Sequence, residues 1–125
     1  MIKPLWVRRD VAIAIHERVL ADYGGQSGLR DTGLLESALA RPQQIHAYDD
    51  PDLATLAAAY ASGIIRNHPF VDGNKRVGFM VAYVFLASNG ITLTATEISA
   101  TQAVLDLAAG EITEELFAQW LRDNT

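Results

Sequence analysis

The stretch HPFVDGNKR, residues 68–76, decides how this sequence is interpreted. It begins with an imidazole and a proline, contains one carboxylate and one amide, and ends with two adjacent cations. No apolar periodicity runs through it, although strongly apolar segments border it on both sides. Gly73 allows backbone conformations that other residues resist, and the pattern after it becomes helical. We therefore predict a polar loop that ends in the first turn of a helix.

This loop combines groups that suit the transfer of a phosphate. Backbone N–H groups near Asn74 would point out of the helix N-terminus, where Lys75 and Arg76 add positive charge. Asp72 is a hard oxygen ligand that suits Mg²⁺ bound jointly by a carboxylate and phosphates. His68 can accept a proton from an attacking hydroxyl. These residue types favour transfer from a nucleotide to an alcohol.

The stretch resembles the Fic/Doc family signature, HPF-x-[DE]-GN-x-R. The lysine in place of its second glycine is similar to the Doc (death-on-curing) toxins, and residues 23–42, YGGQSGLRDTGLLESALARP, resemble the N-terminal half of Doc-type proteins. The resemblance implies an all-α fold, with residues 1–125 forming a single Fic/Doc domain. It also suggests a short β-hairpin flap over residues 43–49, upstream of the active loop, that docks the target by strand pairing. The alternative for this polar segment is a plain connecting loop.

The resemblance assigns a role to each polar residue of the loop. His68 is the general base that deprotonates a hydroxyl on a protein target, and Asp72 holds Mg²⁺, which bridges the phosphates of ATP. Asn74 and the loop amides orient the transferred group, while Lys75 and Arg76 stabilise the charge that develops. Phe70 is expected to anchor the loop in the core.

The expected nucleotide-binding residues are Arg66, Gly73, Asn74, Lys75 and Arg76. For Arg66 the sequence leaves two interpretations open. Its guanidinium can clamp a phosphate, or it can complement the dipole at the end of the preceding helix.

Two departures from the majority Fic pattern bear on the reaction. Lys75 replaces a glycine that lets a diphosphate approach closely, and Phe79 replaces a second arginine. Doc-type proteins share the lysine, and the resemblance implies that they transfer the γ-phosphate of ATP to the translation factor EF-Tu and so arrest translation. It therefore favours a kinase-like toxin. Transfer of AMP and a non-catalytic binding toxin are the alternatives.

The resemblance also implies a partner, an antitoxin whose disordered tail folds onto the toxin. Thr32 and Glu36 have the spacing of the inhibitory S/T-x-x-x-E motif of self-inhibited Fic proteins, but Ser37 follows where glycine or asparagine is expected. We interpret them as an ordinary cap and helix residue, so inhibition is expected to come from outside the chain.

Composition limits the other classes of function. The 125 residues carry a formal net charge of −5, so no general nucleic-acid binding is expected. There are no cysteines, which fits a cytoplasmic location and excludes thiolate metal sites. The N-terminus shows no export signal, and the uncharged stretch 77–96 is broken by polar residues, so no membrane span is expected.

The remaining pattern predicts a chain of helices. The first is expected over residues 9–23 and the second over 33–40, where Arg41-Pro42 would end it. Asp50-Pro51 is a predicted helix start. The apolar helix after the motif is predicted to be the central helix of the domain. Thr94-x-x-Glu97 has the form of a capping box for a later helix, and Thr113 is expected to begin the last one.

Overall fold

The computed structural model describes residues 3–125, so the first two residues of the predicted domain over 1–125 lie outside the described range. The described part is all α, as predicted, and contains no β-strand. Its six helices are α1 (Arg9–Tyr23), α2 (Thr32–Asp49), α3 (Leu53–Asn67), α4 (Asn74–Ser88), α5 (Glu97–Ala109) and α6 (Glu114–Asp123).

α2 differs most from the prediction. It does not end before Pro42 but continues to Asp49, with Pro42 buried inside it. The predicted hairpin flap at Gln43–Asp49 is therefore wrong, because these residues are helical and offer no free strand edge. Proline normally interrupts a helix because it lacks the N–H group and crowds the preceding turn. Here the buried face around Leu35 and Leu39 packs against α3, and tertiary packing outweighs this local preference.

α3 is the helix at the centre of the domain. Every residue from Leu56 to Ile65 is buried, and α3 packs against α2, α4, α5 and α6. The prediction that α4 is central is corrected, because α4 keeps one side partly open to solvent. α3 begins at Leu53, and the carboxylate of Asp52 caps it by accepting a hydrogen bond from the N–H of Thr55 at 3.0 Å. The start predicted at Asp50-Pro51 is therefore two residues early.

Gly78 brings the end of α3 close to the start of α4. A Cβ atom at Gly78 would lie 3.0 Å from Cγ1 of Ile65 and 3.1 Å from the carbonyl oxygen of Ala61. Contacts this short leave no room for a side chain, so the two backbones can pack closely only with glycine here. The polar loop of residues 68–73 is thus held between two helices that pack directly on each other.

α6 has the predicted cap residue, whereas α5 is capped by a different threonine from the predicted one. The hydroxyl of Thr96, rather than that of Thr94, caps α5, and Thr94 instead donates to the carbonyl oxygen of Asn124. Thr113 caps α6 as predicted. None of the helices described is both long and apolar enough to cross a membrane.

Candidate active site

His68 ends α3 and begins the polar loop. Its backbone lies in the left-handed region, with φ 49° and ψ 54°, and its N–H donates to the carbonyl of Ile64 at 3.1 Å. This conformation is uncommon for residues other than glycine and persists only where neighbouring contacts hold it. The side chain of His68 is exposed. The turn therefore presents the imidazole to solvent at the end of a buried helix.

Asn74 fixes both the loop and the imidazole. Its side chain is buried, at 4% exposure, and its Oδ1 accepts from the N–H of Phe70 at 3.0 Å while its Nδ2 donates to the carbonyl of Phe70 at 2.9 Å. These two bonds determine the orientation of the amide. Nδ2 therefore faces Nδ1 of His68, 3.1 Å away, and Nδ1 accepts its second hydrogen. In a neutral ring held this way, the proton is on Nε2.

Phe70 anchors the loop in the core, as the sequence predicts. Its ring is buried and stacks on the ring of His16 from α1, with centroids 4.0 Å apart and an interplanar angle of 13°. The Nε2 of His16 also donates to the carbonyl of Asp72 at 3.0 Å. His16 is thus a packing residue, and no local sequence pattern indicates that it packs against the motif. The two residues it contacts lie more than fifty positions away in the chain.

Asp72 is exposed at the surface of the loop. Its Oδ1 accepts from the N–H of Gly73 at 2.9 Å, and its Oδ2 accepts from the N–H of Gln26 at 3.2 Å. No cluster of three or more His, Cys, Asp or Glu that could hold a metal ion occurs within residues 3–125. Mg²⁺ often takes one or two carboxylates and completes its shell with phosphate and water oxygens. A single exposed carboxylate therefore fits Mg²⁺ delivered together with a nucleotide.

The loop closes at the N-terminus of α4, where the cations lie. Gly73 is the N-cap residue with φ 80°, a left-handed conformation that favours glycine. The first N–H groups of a helix have no partner within it, so they can bind an anion. Lys75 and Arg76 are exposed in this first turn, and the guanidinium of Arg76 lies 4.1 Å from the ring centroid of Tyr23. The loop thus carries an imidazole, a carboxylate, a helix N-terminus and two cations, and the catalytic and binding roles of these groups stay predictions.

Comparison with known proteins agrees with this geometry. The model of the Fic/DOC family matches residues 6–86, which include α1 to α3, the polar loop and most of α4. The chain belongs to the Fic/Doc family.

Two curated relatives narrow the resemblance within the Fic/Doc family. A protein named Toxin Doc from Mycolicibacterium smegmatis is 46% identical over 77 residues, which cover 58% of this chain and 58% of that protein. A protein named Protein kinase doc from Escherichia phage P1 is 32% identical over 112 residues, or 89% of this chain and 85% of that protein. Both relatives are Doc proteins, which confirms the predicted Doc-type resemblance. The first alignment spans little more than half of either protein.

A groove lies beside the Fic/Doc loop, between α4 and α5. Its cavity volume is about 400 Å³, and it opens next to Lys75 and Arg76. Phe79, which stands where other Fic proteins have a second arginine, lies on its wall. The remaining lining residues are Tyr23, Met80, Tyr83, Leu93, Ala95, Thr96, Glu97, Ala100, Thr101, Val104 and Leu105. The groove is thus mostly apolar. Lys75 and Arg76 line it next to the loop, and Glu97 adds one acidic side chain to its wall.

Arg66 is the predicted nucleotide-binding residue that has the fewest contacts with the loop. It is exposed in the last turn of α3, and it forms no hydrogen bond or salt bridge through its side chain with any residue that the structure describes. Its position suits both interpretations left open by the sequence, and its phosphate contact stays a prediction.

A second segment of the Fic/Doc domain supports the loop, and sequence reasoning missed it. Residues 28–31 are here called the strap. In the structure Leu29 and Phe70 form an isolated antiparallel bridge, and the N–H of Val71 donates to the carbonyl of Gly28 at 3.0 Å. The strap therefore pairs with the motif over a few residues. Only a long-range contact reveals this, since no local pattern in the strap resembles a strand.

Proposed function

We propose that this protein is a Doc-type toxin that transfers the γ-phosphate of ATP to a hydroxyl group of a protein target. The observation that carries the proposal is the exposed imidazole of His68 at the entrance to a loop that ends at the cationic N-terminus of α4. The name of the phage P1 relative, Protein kinase doc, supports phosphate transfer among the reactions of the family. Transfer of AMP is the alternative, and ATP labelled at the γ- or the α-phosphate distinguishes the two reactions.

In the proposed reaction the target hydroxyl attacks the γ-phosphorus, the bond from that phosphorus to the bridging oxygen breaks, and ADP leaves. Lys75 and Arg76, with the free amides of α4, stabilise the charge on the transferred group. Asp72 would hold Mg²⁺, which neutralises phosphate charge when bound.

His68 accepts the proton of the attacking hydroxyl in this reaction. The exposed nitrogen of a neutral ring held by Asn74 is the protonated Nε2. For Nε2 to act as the base, the ring proton must first move to Nδ1, and the bond from Asn74 must be released. Substrate binding is the step at which we place this change, because catalytic hydrogen bonds commonly rearrange when the substrate complex forms.

The target and the inhibitor are also part of the proposal. By resemblance, the target is EF-Tu, and its phosphorylation arrests translation. The name Toxin Doc of the mycobacterial relative supports a toxin controlled by an antitoxin. We place the antitoxin segment in the apolar groove between α4 and α5, where an acidic end would meet Lys75 and Arg76. A segment bound there covers the loop, so it inhibits by steric cover.

The proposal is tested by expressing the chain alone in bacteria and comparing it with the His68→Ala variant. Wild-type protein should arrest growth, and His68→Ala should relieve the arrest, because loss of a general base costs about 10²–10⁴ in rate. His46→Gln is the matched control, since His46 lies on α2 against Trp6 and has no hydrogen bond to the motif among the described residues. Full arrest by a folded His68→Ala protein would contradict the base role and favour a binding toxin.

A further inference from the structure

The side chain of Arg30, in the strap, bonds to the carbonyl of Asn67, the last residue of α3, and to that of the C-cap residue His68. Its Nε donates to the carbonyl oxygen of His68 at 2.7 Å, and its Nη2 donates to that of Asn67 at 2.8 Å. The final carbonyls of a helix have no partner within the helix, and a cation at that end is favourable. Arg30 forms no salt bridge with any carboxylate that the structure describes. The positive charge of Arg30 therefore lies against backbone carbonyls rather than against a carboxylate.

The backbone of the strap also forms hydrogen bonds to the next carbonyl of the loop. The N–H groups of Arg30 and Asp31 both donate to the carbonyl of Pro69, at 2.7 Å and 3.0 Å. Three consecutive carbonyls, from residue 67 to residue 69, are thus bonded by the strap. The left-handed turn at His68 lies in the middle of this set. Such a turn is costly for histidine and requires contacts that hold it.

We propose that Arg30 is a positioning residue for His68. Its guanidinium fixes the turn at His68. The turn places Nδ1 beside Asn74 in the free protein and keeps Nε2 on the outer side of the ring, where it faces the incoming hydroxyl once the ring proton has moved to Nδ1. Arg30 acts through the main chain of His68 and has no contact with the nucleotide in this proposal. The expected effect of Arg30 on catalysis rests on the proposed base role of His68. The expected effect of Arg30 on the orientation of the His68 ring does not.

The catalytic part is tested with Arg30→Ala and Arg30→Lys, assayed by transfer from γ-labelled ATP to purified EF-Tu. Both variants should lower kcat by about 10-fold to 10²-fold, the range expected when a reacting group is misplaced by about 1 Å. KM for ATP should stay unchanged, and guanidinium ion should restore part of the activity of Arg30→Ala. Arg30→Lys keeps the charge but cannot span two carbonyls. Arg18→Ala is the control, because Arg18 is an exposed arginine of α1 that pairs with Asp22.

A double-mutant comparison separates positioning from general support of the fold. If Arg30 acts through His68, Arg30→Ala should cause no further loss of the residual activity of His68→Ala. An equal loss in both backgrounds would overturn the proposal and make Arg30 a residue that supports the whole site. An unchanged kcat in Arg30→Ala would also overturn it.

The state of the ring is tested by nitrogen-15 NMR of the His68 imidazole in its neutral form, which needs no substrate. In wild-type protein the proton should be on Nε2, and in Arg30→Ala the ring should populate both neutral forms because it no longer holds its place beside Asn74. Identical spectra for the two proteins would contradict the positioning role. If wild-type protein transfers no phosphate while the spectra differ as expected, the proposed function fails and the role of Arg30 stands.

Discussion

At the scale of single residues, most polar side chains near the motif bind the loop itself. Asn74 bonds to both backbone groups of Phe70, His16 donates to the carbonyl of Asp72, and Arg30 donates to two carbonyls. His68 and the two cations of α4 are exposed, so these side chains are accessible to a substrate of the proposed reaction. A loop held in this way needs little rearrangement of its backbone when charge develops on a bound phosphate.

A substitution at Asp72 can distinguish its proposed role in binding Mg²⁺ from a role in stabilising the fold. Asp72→Asn retains an oxygen that can accept from the N–H of Gly73, but it loses the charge that Mg²⁺ requires. Phosphate transfer should then need far more Mg²⁺ than in wild-type protein. The free energy of unfolding should fall by only about 1 kcal/mol, because the bonds that the carboxylate makes are exposed.

Transfer measured against Mg²⁺ concentration, with thermal unfolding of the same samples, checks the prediction for Asp72. Asp49→Asn is the matched control, since Asp49 is exposed at the end of α2. An unchanged Mg²⁺ requirement would refute the metal role, and a loss of stability above about 3 kcal/mol would identify Asp72 as a structural residue.

Lys75 gives a second prediction at this scale, concerning the reaction class. If its ammonium fills the space that glycine leaves open, ATP binds with its terminal phosphate at the N-terminus of α4. Lys75→Gly should then lose phosphate transfer by about 10²–10³-fold, as when one donor to transition-state charge is removed, and it should gain weak AMP transfer. Lys75→Met distinguishes the effect of the lost charge from the effect of the lost bulk, because it removes the charge but keeps the bulk. The mass of the modified target shows which group was added, and AMP added by wild-type protein would refute the assignment.

At the scale of helices, Asp52 connects the start of α3 to α6. Its carboxylate caps α3 through the N–H of Thr55 and binds the guanidinium of Arg122 through both oxygens, at 2.6 Å and 3.1 Å. The hydrogen bonds from Arg122 hold the pKa of Asp52 well below its usual range, although partial burial acts in the opposite direction. The charged form is thus favoured in the folded protein, where it fastens the first turn of the central helix.

Asp52→Ala should lower the free energy of unfolding by about 1–2 kcal/mol, because the cap is lost together with the ion pair. The folded-state pKa of Asp52 is lowered, so its contribution should be constant well above the unfolded pKa of about 3.9 and should shrink as the pH falls below that value. Urea unfolding of both proteins from pH 7 down to pH 3 checks this. Asp49→Ala is the control, and a difference that grows in acid would contradict the linkage.

Local pattern predicts the helices that have clear ends. α1 has its predicted bounds because Gly24 ends it, and α4 begins after Gly73 because that glycine adopts a left-handed turn. α2 was mispredicted because Pro42 is a local stop signal, and only burial against α3 shows that the helix continues. The motif residues could be identified from their types and order. Their supports, such as Arg30, could not, because these contacts join residues far apart in the chain.

At the scale of the whole molecule, the fold brings three separate segments together at one loop. α1 supplies His16, the strap supplies Arg30, and the motif supplies His68 beside the cations of α4. The central α3 and its close contact with α4 at Gly78 hold the two ends of the loop. The molecule is therefore arranged as a rigid support for one short polar loop, which fits a transferase whose chemistry depends on positioning.

The proposed transfer of the γ-phosphate of ATP to a protein hydroxyl can be measured directly. The purified protein is incubated with Mg²⁺ and EF-Tu, using ATP labelled at the γ-phosphate in one reaction and at the α-phosphate in the other. We expect label on EF-Tu from the γ position alone, a mass increase of one phosphoryl group, and loss of both in His68→Ala. Label from the α position, with the mass increase of an AMP group, would contradict it.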